Sequence, residues 1–370
     1  MSADDDVRVS TIELFFDLVF VFTITQLTSL LVEEPDGVGV VRVALIFGNV
    51  WWMYGGYAWL TNAVPPREPV LRLLMLLGMA GFLVVALAIP DAFGDSGVAF
   101  GIGYLVVTVV HTGLFLRSSE GSTVRAMFRL GPYNLITAAL LLVAAFAGDA
   151  VQWSLWIAAF VLHWASPAVT PVGGFRIRAR HFVERHGLIV LIALGESVVA
   201  VGIGVQGSEL STGLAVTAVL GLALAAALWW LYFDGEDQRA ERALDAAPDA
   251  RNSWLALFAF GYAFLPVLGG IIVLAAGMHE AVLHYDEPAT AATAWFLAAG
   301  VATYVLGLVS FRAVLRTGSL ALRLTVAAAS VPTVVIGLAI SPEVQIAALT
   351  LVVVAGIVAE SRSRQPLPRS

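Results

Sequence analysis

The chain has 370 residues, 59% of them hydrophobic and 13% charged, with a formal net charge of −7. A mean hydropathy of +0.88 is far above that of a soluble domain, so the composition describes an integral membrane protein with many apolar segments and gives no footing for a nucleic-acid partner. Cysteine is absent, which excludes disulfides and thiolate metal sites.

Twelve transmembrane helices are predicted, over 11–32, 41–60, 70–90, 97–116, 131–148, 152–170, 187–206, 211–233, 253–276, 291–311, 320–340 and 343–360. The runs are too long and too uniformly apolar for barrel strands, and helices satisfy their own backbone in lipid. The expected organisation is a cytoplasmic N-terminus (1–10), a six-helix repeat (11–172), a basic cytoplasmic connector (173–186), a second six-helix repeat (187–360) and a cytoplasmic tail (361–370). The first run is too long for the core of a signal peptide and reads as a retained span.

The first span carries Glu13 and Asp17. Charge in hydrocarbon costs several kcal/mol, so each acid is a functional-site candidate. Glu13 has a second reading, because Ser10-Thr11-Ile12-Glu13 fits a capping box with Ser10 as N-cap. Asp17 lies about 10 Å along the helix on the same face, and Thr28 returns to that face; Gln26 points the other way. The second span holds Trp51-Trp52-Met53-Tyr54. Further along, Asn49, His111, Tyr133, Asn134 and His163 are candidate interhelical hydrogen-bond partners. Pro132, Pro167, Pro171, Pro266 and Pro332 mark sites for kinks or breaks. Trp153, Trp156, Trp164, Trp254 and Trp295 fit an interfacial belt.

The basic segment 176–186 reads as a short cytoplasmic helix in which Glu184 has Arg180 and His181 as available partners. Arg180, His181, Glu184, Arg185 and His186 are candidates for a cytoplasmic gate; the alternative is a basic stop with lipid-headgroup contacts. Glu196, with Ser197 beside it, lies about 14 Å into the seventh span, beyond the reach of any cap. The connection Asp234–Asn252 is the longest loop, and it is charged.

Nineteen of the 20 basic residues, all arginine, fall on one side of this arrangement, with Arg42 alone on the other. The positive-inside rule then puts both termini in the cytoplasm of a cell (plasma) membrane. A duplication is also legible. Trp229-Trp230-Leu231-Tyr232 follows the first Trp-Trp pair by 178 positions, and Glu196 follows Asp17 by 179, with Gln26 and Gln206 at similar distances beyond. Six spans per half make this a parallel repeat.

The run Glu13-Leu14-Phe15-Phe16-Asp17-Leu18-Val19-Phe20-Val21-Phe22, followed by Ile24-Thr25-Gln26-Leu27, resembles the opening signature of the bacterial low temperature requirement protein A (LtrA) family. Arg180-His181-Phe182, Glu184-Arg185-His186-Gly187 and Ala193-Leu194-Gly195-Glu196-Ser197 are similar to its second signature. The resemblance implies many helices and importance for Glu13, Asp17 and Glu196; it supplies no substrate. Phe15-Phe16-Asp17 is also similar to the Phe-Ser-Asp motif of the lysosomal and bacterial potassium channel family, but the second half has Leu194-Gly195-Glu196 instead.

The leading expectation is a proton- or cation-coupled secondary transporter, with Glu13, Asp17, Gln26, Thr28, Glu196 and Ser197 as ion-binding candidates. The alternatives are a cation channel, a membrane-embedded lipid-modifying enzyme using Glu196 with His111 or His163, and a structural membrane protein with fully paired acids. No soluble catalytic motif is present, and no catalytic residue, cofactor or metal is expected. The expected partners are the lipid bilayer and an unassigned small ion or solute, and a homo-oligomer is left open.

Overall fold

The computed structural model describes residues 9–66, 68–118, 120–170, 173, 175, 177–204 and 211–363. Arg8, Arg67, Pro171, Arg176, Gln206, Arg364 and Arg369 lie outside the described residues.

All the regular structure among the described residues is helical. The helices are α1 (Thr11–Glu33), α2 (Gly37–Ala63), α3 (Pro69–Ala88, continued by a 3₁₀ turn), α4 (Gly97–Phe115), α5 (Gly121–Ala144), α6 (Asp149–Val169), α7 (Ala179–Gly204) and α8 (Thr212–Phe233). They continue with α9 (Glu236–Asp245), α10 (Asp249–Ala256), a π-helical turn (Leu257–Tyr262), α11 (Phe264–Leu283), α12 (Ala291–Leu315), α13 (Ala321–Ser330), α14 (Thr333–Ala339) and α15 (Pro342–Ser363).

Among the described residues twelve helical rods follow the twelve expected segments in order, and 11 stretches are long and apolar enough to cross a membrane. The exception is α6, which has 21 residues but carries Asp149, Gln152, Ser154 and His163 among its apolar ones. Large apolar side chains such as Leu73, Phe128, Val219 and Leu351 are exposed, as lipid-facing positions must be.

Several boundaries differ from expectation: α5 begins at Gly121 rather than at 131, and three further differences bear on the architecture. First, α7 begins at Ala179, so the short helix expected before span seven is its first two turns. No proline interrupts 179–204, and His181, Phe182, Val183, Arg185 and His186 are all buried. Second, the expected loop at 234–252 is largely helical, as α9 and the start of α10. Third, Pro332 divides the span at 320–340 into α13 and α14, because it has no N–H to give the preceding turn. Pro266 acts more gently: the backbone just ahead of it widens into the π turn, which absorbs the lost hydrogen bond. Pro132 and Pro167 sit inside continuous helices.

The chain forms two compact units. The first contains Met1–Leu30, Gly37–Ile189 and Glu241–Gly261; the second contains Leu31–Asp36, Val190–Ala240 and Tyr262–Ser370. In the first, Phe16 and Phe20 of α1 are fully buried against α2 and α3. Phe16 stacks on Tyr57 at 4.9 Å and Phe20 meets Tyr54 at 4.3 Å, while Phe82 meets Phe16 edge-on at 5.2 Å. Such ring pairs add about 0.5–1.5 kcal/mol beyond area burial. Trp156 belongs to this core rather than to an interfacial belt: it is 1% exposed and stacks on Phe93 at 4.7 Å.

In the second unit, α11 and α12 approach backbone to backbone. A side chain at Gly277 would come within 2.8 Å of the Leu297 nitrogen, and one at Gly307 within 2.7 Å of the Val267 nitrogen. Gly270 and Gly300 are equally close to the partner helix. Small residues at seven-residue spacing let apolar helices gain van der Waals contact where lipid gives no hydrophobic drive.

Candidate functional site

The site begins at the first turn of α1. Ser10 N–H donates to Glu13 Oε2 at 2.9 Å, and Ser10 Oγ–H donates to the same oxygen at 2.7 Å. Half of the capping box is present, since Glu13 reaches back to the Ser10 amide while the Ser10 hydroxyl donates rather than accepts, and Glu13 does more than cap. It is 2% exposed, and its Oε1 lies 3.4 Å from Arg185 Nη1 and 3.1 Å from His181 Nε2, both on α7. One turn further along α1, Asp17 is fully buried; its Oδ1 accepts from Arg185 Nη2 at 3.2 Å and from the Tyr54 hydroxyl at 2.9 Å.

Arg185 is thus the centre of the cluster, with no exposed surface. Besides the two acids it donates to the Thr61 hydroxyl and, at 3.4 Å, to the Tyr57 carbonyl, both on α2. Its guanidinium carbon lies 5.4 Å from the Phe16 ring centre and 5.6 Å from that of Tyr54. Aromatic faces stabilise a desolvated guanidinium. The planar fork suits two carboxylates and two further acceptors in a way a lysine ammonium does not.

Asn62 of α2 links the start of α7 to His181. Its amide is clamped by the backbone of Arg178: Oδ1 accepts from Arg178 N–H at 3.1 Å and Nδ2 donates to the Arg178 carbonyl at 3.2 Å. Nδ2 also faces His181 Nδ1 at 3.5 Å. The other ring nitrogen, Nε2, faces Glu13. His186 Nδ1–H donates to the Phe182 carbonyl at 2.7 Å and is packed among Trp51, Phe182 and Phe260.

The remaining candidates divide. Thr28 is buried on α1, but its hydroxyl has no hydrogen-bond partner among the described residues, and Gln26 is half-buried. Arg180 and Glu184 are exposed and enter no ion pair among the described residues; the partner of His181 is Glu13, not Glu184. The reason is helical phase. His181 and Arg185 share the buried face of α7, and Arg180 and Glu184 share the outer one. Glu196 and Ser197 are buried in the second unit. Ser197 Oγ has no hydrogen-bond partner among the described residues. Of the polar residues outside the signatures, Asn134 accepts from Trp52 Nε1 at 3.2 Å and His163 meets the Tyr104 hydroxyl at 3.5 Å. Both are contacts between helices, as expected.

The family model for bacterial low temperature requirement A protein (LtrA) matches residues 8–358. The chain belongs to the LtrA family. An uncharacterized protein of Rhizobium meliloti (strain 1021) is 28% identical over 294 residues, covering 76% of this chain and 71% of that protein. No solved structure matches. This LtrA-family chain is a multi-pass membrane protein, embedded in the bilayer through its apolar helices.

The second unit of this LtrA-family chain holds another ionic cluster, which sequence reasoning missed. Glu236, at the start of α9, is fully buried. Its Oε1 is paired with Arg312 of α12, with Arg323 of α13 at 2.8 Å and with Arg239 at 2.9 Å. Glu360 of α15 pairs with Arg312 and, at 3.4 Å, with Arg323. Arg312 also donates to the Ser319 carbonyl at 2.9 Å, and Arg323 to the Leu231 carbonyl at 2.8 Å. These residues lie at helix ends, where sequence reading assigns charge to the surface.

Proposed function

We propose that this LtrA-family protein is a proton-coupled secondary transporter whose coupling proton resides in the cluster between α1 and α7. The observation that carries the reading is the charge inventory. Two buried carboxylates, Glu13 and Asp17, face one guanidinium, Arg185. In this reading His181, beside Glu13, is neutral, and the cluster is then one positive charge short. A net charge buried among apolar helices is strongly unfavourable, and one proton removes it. Asp17 Oδ2 is buried without a hydrogen-bond partner among the described residues, which makes that oxygen the place for the proton.

Loss of the proton would leave Asp17 and Glu13 competing for Arg185, and α1 and α7 would repack around the changed charge. That is the kind of two-state element that alternating access needs. Glu196 is the second coupling candidate. A cation channel would need the α1 acids free to take up a passing ion, and their engagement by Arg185 counts against it. In this reading both termini are cytoplasmic, the chain resides in the cell membrane, and the two halves derive from a parallel six-helix repeat.

The test uses proteoliposomes with imposed proton, sodium and potassium gradients and a trapped pH dye. Proton movement in the wild-type protein that is lost in Asp17→Asn supports the reading. Infrared spectra of the same samples should contain a protonated-carboxyl carbonyl band that Asp17→Asn removes. Absence of both the flux and the band overturns it.

A further inference from the structure

The first unit contains a pocket lined mainly by aromatic side chains. Four indoles, Trp51, Trp52, Trp59 and Trp164, line it. The rings of Phe115, Phe175 and Phe260 complete an almost continuous flat-faced wall. The exceptions to this apolar lining are few and specific. Asn134 is already engaged with Trp52, and His186 with the Phe182 carbonyl. His111 of α4 is not: it is 3% exposed, and neither ring nitrogen has a well-formed hydrogen bond among the described residues. The backbone of Gly56 is a polar neighbour, and the missing Gly56 side chain makes room for the ring. A neutral imidazole has one donor and one acceptor nitrogen. If the Gly56 carbonyl takes the ring N–H, the acceptor nitrogen still needs a donor, and a buried acceptor without one costs roughly 1–3 kcal/mol.

Two further features mark this as a built site. One wall is the π-helical turn, which contributes Leu257, Phe260 and Gly261. Such turns recur at functional sites because they widen a helix locally. The Gly261 carbonyl accepts from Trp51 Nε1 at 2.9 Å, so the turn also fixes the orientation of a lining indole. The same Trp51 stacks on Tyr54 at 5.0 Å, and Tyr54 donates to Asp17. The pocket and the ionic cluster therefore share a wall.

We infer that this pocket binds a flat, uncharged, ring-bearing organic solute with one hydroxyl or N–H group, which donates to His111 while the rings take up its apolar faces. No acidic side chain lines the pocket among the described residues, which argues against an organic cation. An acyl chain would leave the His111 acceptor unpaired. The inference rests on the transport reading in that this solute would be the one carried, and its movement would reach Asp17 through Trp51 and Tyr54.

The test is binding of 1-naphthol to the full chain in lipid nanodiscs, followed by quenching of tryptophan fluorescence. Gly55→Leu supplies the background. Gly55 lines the pocket, and a Cβ added there meets nothing within 4 Å, so the larger side chain starts from open space and takes up room in the pocket. Expected are saturable binding above that background, about tenfold weaker binding of naphthalene, and loss of that discrimination in His111→Phe. Equal signals in wild type and Gly55→Leu overturn the inference. So does equal affinity for naphthol and naphthalene, the result for a lipid-chain groove, or displacement of naphthol by tetraethylammonium, the result for a cation cage. Binding that survives in Asp17→Asn while wild-type protein moves no protons would sink the coupling mechanism alone. Proton movement without naphthol binding would sink the pocket alone.

Discussion

The two buried ionic clusters use the same side chains to opposite ends. In the first unit, two carboxylates share one buried arginine; both clusters leave atoms without a hydrogen-bond partner among the described residues, Asp17 Oδ2 and Arg185 Nε here, Glu236 Oε2 and Arg323 Nη1 there. In the second unit, Glu236 and Glu360 face two buried arginines, with the partly exposed Arg239 beside them. The second cluster has three arginines to two carboxylates, so no acid in it is surplus, and it ties together the ends of four helices. The first lies within helices and has two carboxylates to one arginine. In the proposed reading the first is the exchange site and the second a clamp. The two Trp-Trp pairs diverge in the same way: Trp51 is buried and lines a pocket, whereas Trp229 and Trp230 are 38% and 51% exposed.

The largest effect expected is from Arg185→Met. It strands two buried acids, and removing one partner from a buried ion pair costs about 3–5 kcal/mol. Little monodisperse protein should be recovered, and adding Asp17→Asn should restore part of it. Next comes the contrast that most directly breaks or sharpens the comparison. Glu236→Gln leaves Arg312 and Arg323 with one carboxylate between them and should lose about 3 kcal/mol, whereas Asp17→Asn removes the surplus acid and should lose less than about 1 kcal/mol. Melting temperatures of the two variants, side by side in one detergent, decide this; the reverse order would end the distinction between clamp and exchange site. Tyr54→Phe removes one hydrogen bond to Asp17 and should lower stability by about 1–2 kcal/mol, with the Asp17 infrared band shifted rather than lost. Ser10→Ala weakens the cap of α1 by about 1 kcal/mol, visible as faster hydrogen exchange in its first turn. Arg180→Ala and Glu184→Ala should leave the melting temperature and the band unchanged, because both side chains are exposed.

Much of the cluster could be read from sequence, though not its connections. An acid in an apolar run is conspicuous, so Glu13 and Asp17 stand out, and the spacing from Ser10 to Glu13 gives the cap directly. Arg185 is also visible, but as part of a basic segment beside the membrane. Nothing local distinguishes an arginine that faces headgroups from one that turns inward to meet acids 168 and 172 positions earlier. The phase of α7 decides it, and that phase follows from the helix starting at Ala179 rather than at Gly187. Arg312, Arg323 and Glu360 were obscured for the same reason, since they sit at helix ends.

Composition and periodicity determined that this is a many-helix membrane protein, roughly where its spans fall, and which acids lie inside them, because hydrocarbon admits only long apolar helices and makes every charge within them conspicuous. The tertiary structure alone decided which charges meet, that one cluster has two carboxylates to one arginine while the other has three arginines to two carboxylates, and that His111 lines an aromatic pocket. Those facts depend on contacts between residues a hundred or more positions apart, and on helix phase within a turn, which no local pattern encodes.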